Sequence, residues 1–299
     1  MTDIRPSSLK IAIGIATTGR PDVLAEAIAF LSRQTRRADA LLICPAREGD
    51  VNESRLVEYG APVSIIRGPI GSSIQRNALI DASDADVMVF FDDDFLPADD
   101  FLAEMEAQFI ADPELAVLTG NVLVDGAHGP GLTFSEGVNI LAEAQAPEKP
   151  FAVYPAYGAY GCNMAVRMKL AQEYNIRFDE SLPLYGWWED IDFSRRLLPY
   201  GRVMRSYGLR GVHLGSKNGR TSGKRLGYSQ VANMVHMARK GSITAGAAFR
   251  QIVRNMVANH VKAIKPEPWI DRLGRVKGNW KAMADLVSGR LDPRRILEF

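Results

Sequence analysis

The chain has 299 residues, of which 46% are hydrophobic and 24% charged, the composition of an ordinary soluble globular protein. Its length suits one large α/β domain with an appendage, or two modest domains. A net charge of +1 hides an asymmetry: residues 1–213 carry 19 Lys+Arg against 30 Asp+Glu, and residues 214–299 carry 17 against 5, which suggests that the basic end meets something anionic. The first ten residues lack the apolar centre of a signal peptide, and no apolar run approaches the ~20 residues that span a bilayer. Cys44 and Cys162 have no metal-ligand spacing and read as reduced core thiols of a cytosolic protein.

In chain order, residues 11–16 are predicted as a short buried strand ending at Thr17-Thr18-Gly19-Arg20-Pro21. Pro21 and Asp22 open a helix whose Val23, Leu24, Ala27, Ile28 and Leu31 share one face. Residues 40–44 and 62–66 read as strands, 68–71 as a turn and 72–81 as a helix. Residues 87–91 form a continuous apolar run, which predicts a strand buried on both faces of a parallel sheet. That strand runs straight into Asp92, Asp93 and Asp94. Open α/β sheets bind ligands beyond the carboxyl ends of their strands, and in an extended chain Asp92 and Asp94 point to one side, Asp93 to the other. Converging carboxylates call for a bridging cation, and Mg²⁺ and Mn²⁺ prefer oxygen ligands. For three aspartates alone, an acidic turn or a helix N-cap is the commoner explanation.

Pro97 is expected to start a helix from Ala98 to about Ala111, followed by a strand over 115–124. This rhythm is that of a doubly wound nucleotide-binding sheet. From 125 to 157 the pattern dissolves into a long connection of the functional kind. The glycines of Tyr157–Ala165 allow close backbone approach to a ligand, or relieve crowding in the sheet. A second acidic cluster, Trp187-Trp188-Glu189-Asp190-Ile191-Asp192, opens another helix. The helix dipole favours acids there in any case; the two tryptophans form an aromatic wall of the sort that holds a sugar ring. His213 reads either as a hydrogen-bonded core residue or as a metal ligand. Residues 216–225, glycine-rich and basic, read as a tether or as a loop that closes over phosphates. Helices are predicted over about 227–240, 246–264 and 270–288. The middle one bears an apolar stripe of Phe249, Ile252, Val253, Met256, Val257, Val261 and Ile264, with Arg250 and Arg254 standing together away from it. Such a stripe packs on its parent domain or lies on an anionic membrane.

With these motifs in this order, residues 10–215 resemble the family 2 glycosyltransferases of the GT-A fold, of the type that builds bacterial polysaccharides. Thr17-Thr18-Gly19-Arg20-Pro21 looks like the family's nucleotide-contacting turn, and Gly71-Ser72-Ser73-Ile74-Gln75-Arg76-Asn77 its glycine turn and Arg-Asn helix. Asp92-Asp93-Asp94 matches the Asp-X-Asp motif, and Gly161-Cys162-Asn163 resembles the strand near the donor sugar. Phe178-Asp179-Glu180 and Glu189-Asp190 look like the Phe-Asp-Glu and Glu-Asp motifs. An acid common directly after the second strand is missing; Glu48 or Asp50 could replace it.

The resemblance implies an α/β, GT-A nucleotide-diphospho-sugar transferase fold, a mostly parallel doubly wound sheet with a C-terminal helical extension. The catalytic domain would cover 1–226, with a donor half to about 124 and an acceptor half over 125–226, and a basic helical region would follow over 227–299. The implied activity is inverting transfer of a sugar, with UDP the usual nucleotide, to a saccharide or lipid-linked saccharide. Asp190 is expected as general base beside Glu189. Asp94, Asp92 and His213 would hold Mn²⁺ or Mg²⁺. Thr17, Thr18, Arg20, Arg76, Asn77, Asp92, Asp93, Arg220, Lys224 and Arg225 would bind the nucleotide diphosphate. Trp187, Trp188, Gly161 and Asn163 would meet the sugars. A cytoplasmic location is expected, peripheral on the inner membrane face through residues 214–299, with self-association as the alternative and no nucleic-acid partner. A nucleotidyltransferase, or a non-catalytic saccharide-binding protein, are the competing readings; retention of Asp92, Asp94 and Asp190, whose burial is costly, argues against the latter.

Overall fold

The computed structural model describes residues 8–145, 152–219 and 221–299. Strands and helices alternate through β1 (Ile11–Thr17), α1 (Pro21–Leu31), β2 (Ala40–Pro45), β3 (Val63–Ile65), α2 (Ser72–Asp81) and β4 (Val87–Asp92). β3, β2, β1 and β4 lie side by side and parallel. The order reverses between β1 and β4, where Ala16 registers with Asp92, and such a switch point is where doubly wound sheets bind ligands. Next come β5 (Phe95–Pro97) and α3 (Phe101–Ala111). Side chains of β4 alternate between two cores, as strand geometry requires. Val87, Val89 and Phe91 pack with α1 and α3 on one face, Met88 and Phe90 with Leu79 and Ile80 of α2 on the other.

The second half supplies β6 (Leu115–Asp125), α4 (Phe134–Glu143), β7 (Val153–Pro155), β8 (Asn163–Arg167), α5 (Met168–Glu173), α6 (Glu189–Leu197) and β9 (Arg202–His213). β8 inserts antiparallel between β4 and β6, β9 runs parallel to β6, and β5 and β7 pair antiparallel with β9. The result is a nine-stranded sheet in which six strands share one direction. The α/β class, the mostly parallel sheet and the helical C-terminus are as the sequence predicts.

Two local expectations change, and one strand appears that the sequence pattern does not assign. Pro97 ends a strand instead of starting a helix: Phe95, Leu96 and Pro97 register with His213, Val212 and Gly211, and α3 begins only at Phe101. Gly211 permits this, because a side chain there would meet the Phe95 ring at 2.1 Å. The 125–157 connection is not structureless, since α4 lies within it, opened by a capping box between Thr133 and Glu136. Residues 202–213 form one long strand that polar residues and two glycines disguise in the sequence.

The chain ends in α7 (Gly223–Lys240), α8 (Ala245–Ala263) and α9 (Arg272–Val287). Tyr228, Val231, Ala232, Ala282, Leu291 and Ile296 give these helices a core of their own. α7 also grips the sheet domain. Lys240 Nζ lies 2.6 Å from both Asp179 Oδ2 and Asp192 Oδ2, His236 Nε2 lies 2.8 Å from Asp179 Oδ2, and Asn233 donates to the Trp187 carbonyl. The α8 stripe divides: Ile252 and Met256 are half-buried, while Phe249, Val253, Val257, Val261 and Ile264 are exposed. No helix among the described residues is long and apolar enough to cross a membrane.

Candidate active site

At the carboxyl end of β4, a turn over Asp93 and Asp94 separates the three aspartates. Asp92 and Asp94 turn towards His213, and one ligand atom of each lies within 4.8 Å of the others. Asp94 Oδ2 accepts from Ser216 N at 2.7 Å, but Oδ1 is buried without a hydrogen-bond partner among the described residues, 3.3 Å from His213 Nε2. On its other side His213 Nδ1 donates to Asp125 Oδ1 at 2.9 Å, and Tyr160 Oη donates to Asp125 Oδ2 at 2.9 Å. A carboxylate behind the imidazole fixes its tautomer and aims Nε2 forward, as behind metal-bound histidines. Two carboxylates, an orphaned oxygen and a braced imidazole fit a divalent cation. Burial alone would lower the His213 pKa; the bond to Asp125 and the negative charges of Asp94 and Asp92 overcome this and raise it to about 10. A cation binding here therefore displaces a proton.

Asp93 points the opposite way and is fully buried. It accepts from Thr17 Oγ1 at 2.5 Å and lies 2.7 Å from Arg20 Nη2. Burial pushes this carboxyl up to about 7, against the pull of Arg20. Arg20 also donates to Asp94 Oδ2 at 3.1 Å, so the turn after β1 is tied to the acids of β4. Asp50, buried, accepts from Gly19 N and Arg47 N and braces the same turn, whereas Glu48 is exposed. The segment after β9 closes onto this turn as well. Gly219 has φ +71°, and a side chain there would stand 2.6 Å from the Thr18 carbonyl.

The second acidic cluster meets the first through Arg76, which is 5% exposed. Its guanidinium donates to Glu189 Oε1, to Asp92 Oδ1 at 3.1 Å and to the Gly161 carbonyl at 3.1 Å. Burial alone would lower its pKa, and Glu189, Asp92 and Asp190 more than offset this and raise it. Asp190 accepts from Gly161 N and from Ile191 N, each at 2.7 Å. Burial raises its pKa from the ordinary carboxylate value, against the pull of Arg76. The loop entering α6 is strained: Leu184 and Trp188 both have left-handed φ, 60° and 71°. Ser72 holds it there, its N–H donating to the Leu184 carbonyl and its hydroxyl to Glu189 Oε1.

Asp92, Asp94, His213, Arg76, Gly161, Glu189 and Asp190 thus converge from five chain segments. Other expected residues are placed elsewhere. Asn77 is spent on the loop before α6, bonding Phe178 and Glu180 through both ends of its amide. Asn163 is buried; Thr119 Oγ1 and Gly120 N occupy its carbonyl, and its Nδ2 has no partner among the described residues. Trp187 and Trp188 are half-buried against a cluster of Met234, Met237, Ile243 and Ala248. Lys224 lies over the Phe299 ring and Arg225 donates to the Phe299 carbonyl, so both engage the chain end. Arg220 lies outside the described residues. Sequence reasoning missed Asp125, Tyr160 and Gln75. Gln75 Nε2 bonds the Thr17 and Cys44 carbonyls and so couples the ends of β1 and β2. Only the first of these carried a signal, an acid at the end of a predicted strand.

The profile described as glycosyl transferase family 2 matches residues 12–174, more than half of the chain. Among solved structures, mannosyltransferase PcManGT from Pyrobaculum calidifontis, in complex with GDP-Man and Mn²⁺, superposes with a TM-score of 0.58 at 12% identity, over 98% of this chain and 86% of that one. S. aureus TarS residues 1–349 superpose with a TM-score of 0.59 at 14% identity, over 96% of this chain and 82% of that one. At such identities the likeness is one of fold. Comparison with curated proteins finds no match.

Proposed function

Because the chain belongs to glycosyl transferase family 2, we propose that it is an inverting, metal-dependent hexosyltransferase acting from a nucleoside-diphosphate sugar, with UDP as first choice of nucleotide. The acceptor in this reading is a hydroxyl of a saccharide or lipid-linked saccharide, and residues 214–299 associate peripherally with a membrane. Residues 1–226 form the catalytic unit and 227–299 its extension. One observation carries the proposal. The Gly161 N–H holds Asp190 while the Gly161 carbonyl holds Arg76, which reaches Asp92. Base and diphosphate ends of a transferase would thus be set by one residue.

Asp190 takes the proton of the attacking hydroxyl. Burial raises its pKa, bringing it towards the operating pH where a general base is most effective. Its two backbone donors leave it lone pairs for the acceptor while fixing its orientation. A single base in line with the departing diphosphate inverts the anomeric centre. Arg76 holds Asp92 and Glu189 in place and adds fixed positive charge near the leaving group. A divalent cation on Asp92, Asp94 and His213 would supply Lewis-acid neutralisation of the diphosphate, Mn²⁺ suiting the imidazole better than Mg²⁺. The Mn²⁺ and GDP-Man of the PcManGT structure support this donor class. Thr17, Thr18 and Arg20 are the nucleotide wall, Gly161 and the unpartnered amide of Asn163 serve the donor sugar, and Trp187 and Trp188 the acceptor. Asp190→Asn lowers kcat by about 10²–10⁴ with donor affinity unchanged in calorimetry; near-normal turnover in that variant refutes the assignment.

A further inference from the structure

The outer side of the C-terminal helices carries apolar groups where a solvent-facing surface ordinarily carries charge. On α8, Phe249, Val253, Val257, Val261 and Ile264 recur every three or four residues; Phe249 is 67% and Ile264 87% exposed. On α9, Leu273, Trp280 and Val287 are exposed as well. Trp280 Nε1 donates to His260 Nε2 at 2.9 Å and the rings meet edge to face, so the rows of α8 and α9 adjoin. Contiguous apolar surface of this kind marks an interaction site. Exposed Arg250, Arg254 and Lys265 accompany the α8 row, as does Lys262, which is paired with Glu267 at 2.8 Å in the loop that follows. α8 contains no acidic residue, and the single one on α9, Asp285, is 1% exposed and bonded to Lys281 and Tyr228.

We infer that this face docks on an anionic lipid bilayer, its apolar row in the interfacial layer and its basic side chains on lipid phosphates. Charge complementarity selects that occupant. A second copy seated symmetrically on the same face would set the basic groups at one end of α8 (Arg250, Arg254) against those at the other end of its partner's (Lys262, Lys265), which is repulsive. An anionic surface attracts all of them and accepts the apolar row and the exposed indole. On its inner side α8 places Ile252 against the cluster of Met234, Met237, Ile243 and Ala248 on which Trp187, Trp188 and Ile191 also pack. Docking therefore brings the acceptor side of the candidate site within about one helix diameter, ~10 Å, of the bilayer.

The test uses the full chain and vesicles of phosphatidylcholine, with and without phosphatidylglycerol, in sedimentation at low and high salt. The chain sediments with phosphatidylglycerol vesicles at low salt, releases as screening rises, and shows a blue-shifted Trp emission that Trp280→Phe abolishes. Each basic side chain near such a surface contributes about fivefold in binding, so Arg250→Gln with Arg254→Gln weakens it about 25-fold. Val257→Ser with Ile264→Ser also weakens binding, and both pairs keep the parent melting temperature because the sites are exposed. No sedimentation, equal sedimentation with phosphatidylcholine alone, or a dimer in ultracentrifugation that Val257→Ser dissolves would overturn the inference. The inference rests on the peripheral membrane association proposed above and gives it a surface; binding is read without turnover, so its failure removes that association and leaves the transferase chemistry standing, and a docked but inactive chain counts against the chemistry alone.

Discussion

Arg76 is the residue whose removal the structure makes most informative. Replacing it with Met keeps most of the side-chain volume, including the contact with the Phe178 ring, but removes the donors to Glu189, Asp92 and Gly161. The two carboxylates do not suffer equally. Asp92 has 32% of its side chain exposed and rehydrates, whereas Glu189 has 8% and retains only the Ser72 hydroxyl at 3.1 Å. Stranding one partner of a buried pair costs about 3–5 kcal/mol once that partner is ionised, and at roughly 2–4 °C per kcal/mol for a chain of this order of size the melting temperature then falls by roughly 6–20 °C. The deficit depends on pH. Burial pushes Glu189 up to about 8 even beside Arg76, so in Arg76→Met its folded pKa is higher still and above its unfolded value. A group raised in this way stabilises the folded state below its unfolded pKa and loses that contribution as pH rises through the folded one. Circular-dichroism melts should therefore show a gap between Arg76→Met and the parent that is steady below about pH 8 and widens as the pH rises above it. Arg76→Met with Glu189→Gln should recover a good part of the loss, because a neutral amide costs far less to bury than a charge. Equal melting temperatures for the single and double variants would refute the charged-pair account.

At the cation site, Asp94→Ala should abolish Mn²⁺-dependent donor binding in calorimetry performed with and without the ion, and His213→Ala should weaken Mn²⁺ binding directly; unchanged metal affinity in the latter would return His213 to a core role. At the helix interface, Lys240→Met leaves Asp192, which is fully buried, facing only Arg196 at 3.7 Å, and should cost on the order of 3 kcal/mol at pH 7. The adjoining Asp179 is held below the ordinary carboxylate range: burial would raise it, and His236 and Lys240 overcome that. Such a group stabilises above its unfolded pKa and ceases to as pH falls, so melts of Lys240→Met and the parent should converge below about pH 4; a gap that persists at low pH would mean that Lys240 acts through packing.

Much of the site was legible because its signals are local. A continuous apolar run announces a doubly buried strand, and the acids at its end inherit the ligand-binding position of the sheet. Period-two alternation predicts that Asp93 parts from Asp92 and Asp94, and in the structure Asp93 meets Thr17 while Asp92 and Asp94 face His213, with Arg20 bridging Asp93 and Asp94. The helix after Pro21 and the three C-terminal helices follow from caps and 3.6-residue spacing. Even α4 had its capping box in the sequence, at Thr133 and Glu136.

What the sequence by itself determined is therefore the parallel β1–β4 half, the aspartates at its ligand-binding edge and the helical ending, each written in neighbours a few residues apart. Only the tertiary structure decided how these parts act together. Arg76 meets Glu189 across 113 positions, Asp125 braces His213 across 88, and Gly161 presents its carbonyl to Arg76 and its N–H to Asp190. Asn77 and Lys224 carry the right chemistry in the right motifs, yet the fold commits them to Phe178 and Phe299. Which face of α8 stays exposed was equally undecided, since a stripe has the same period whether it meets a core or a solvent. Periodicity reports which side of an element is apolar, and only the packed chain settles what that side meets.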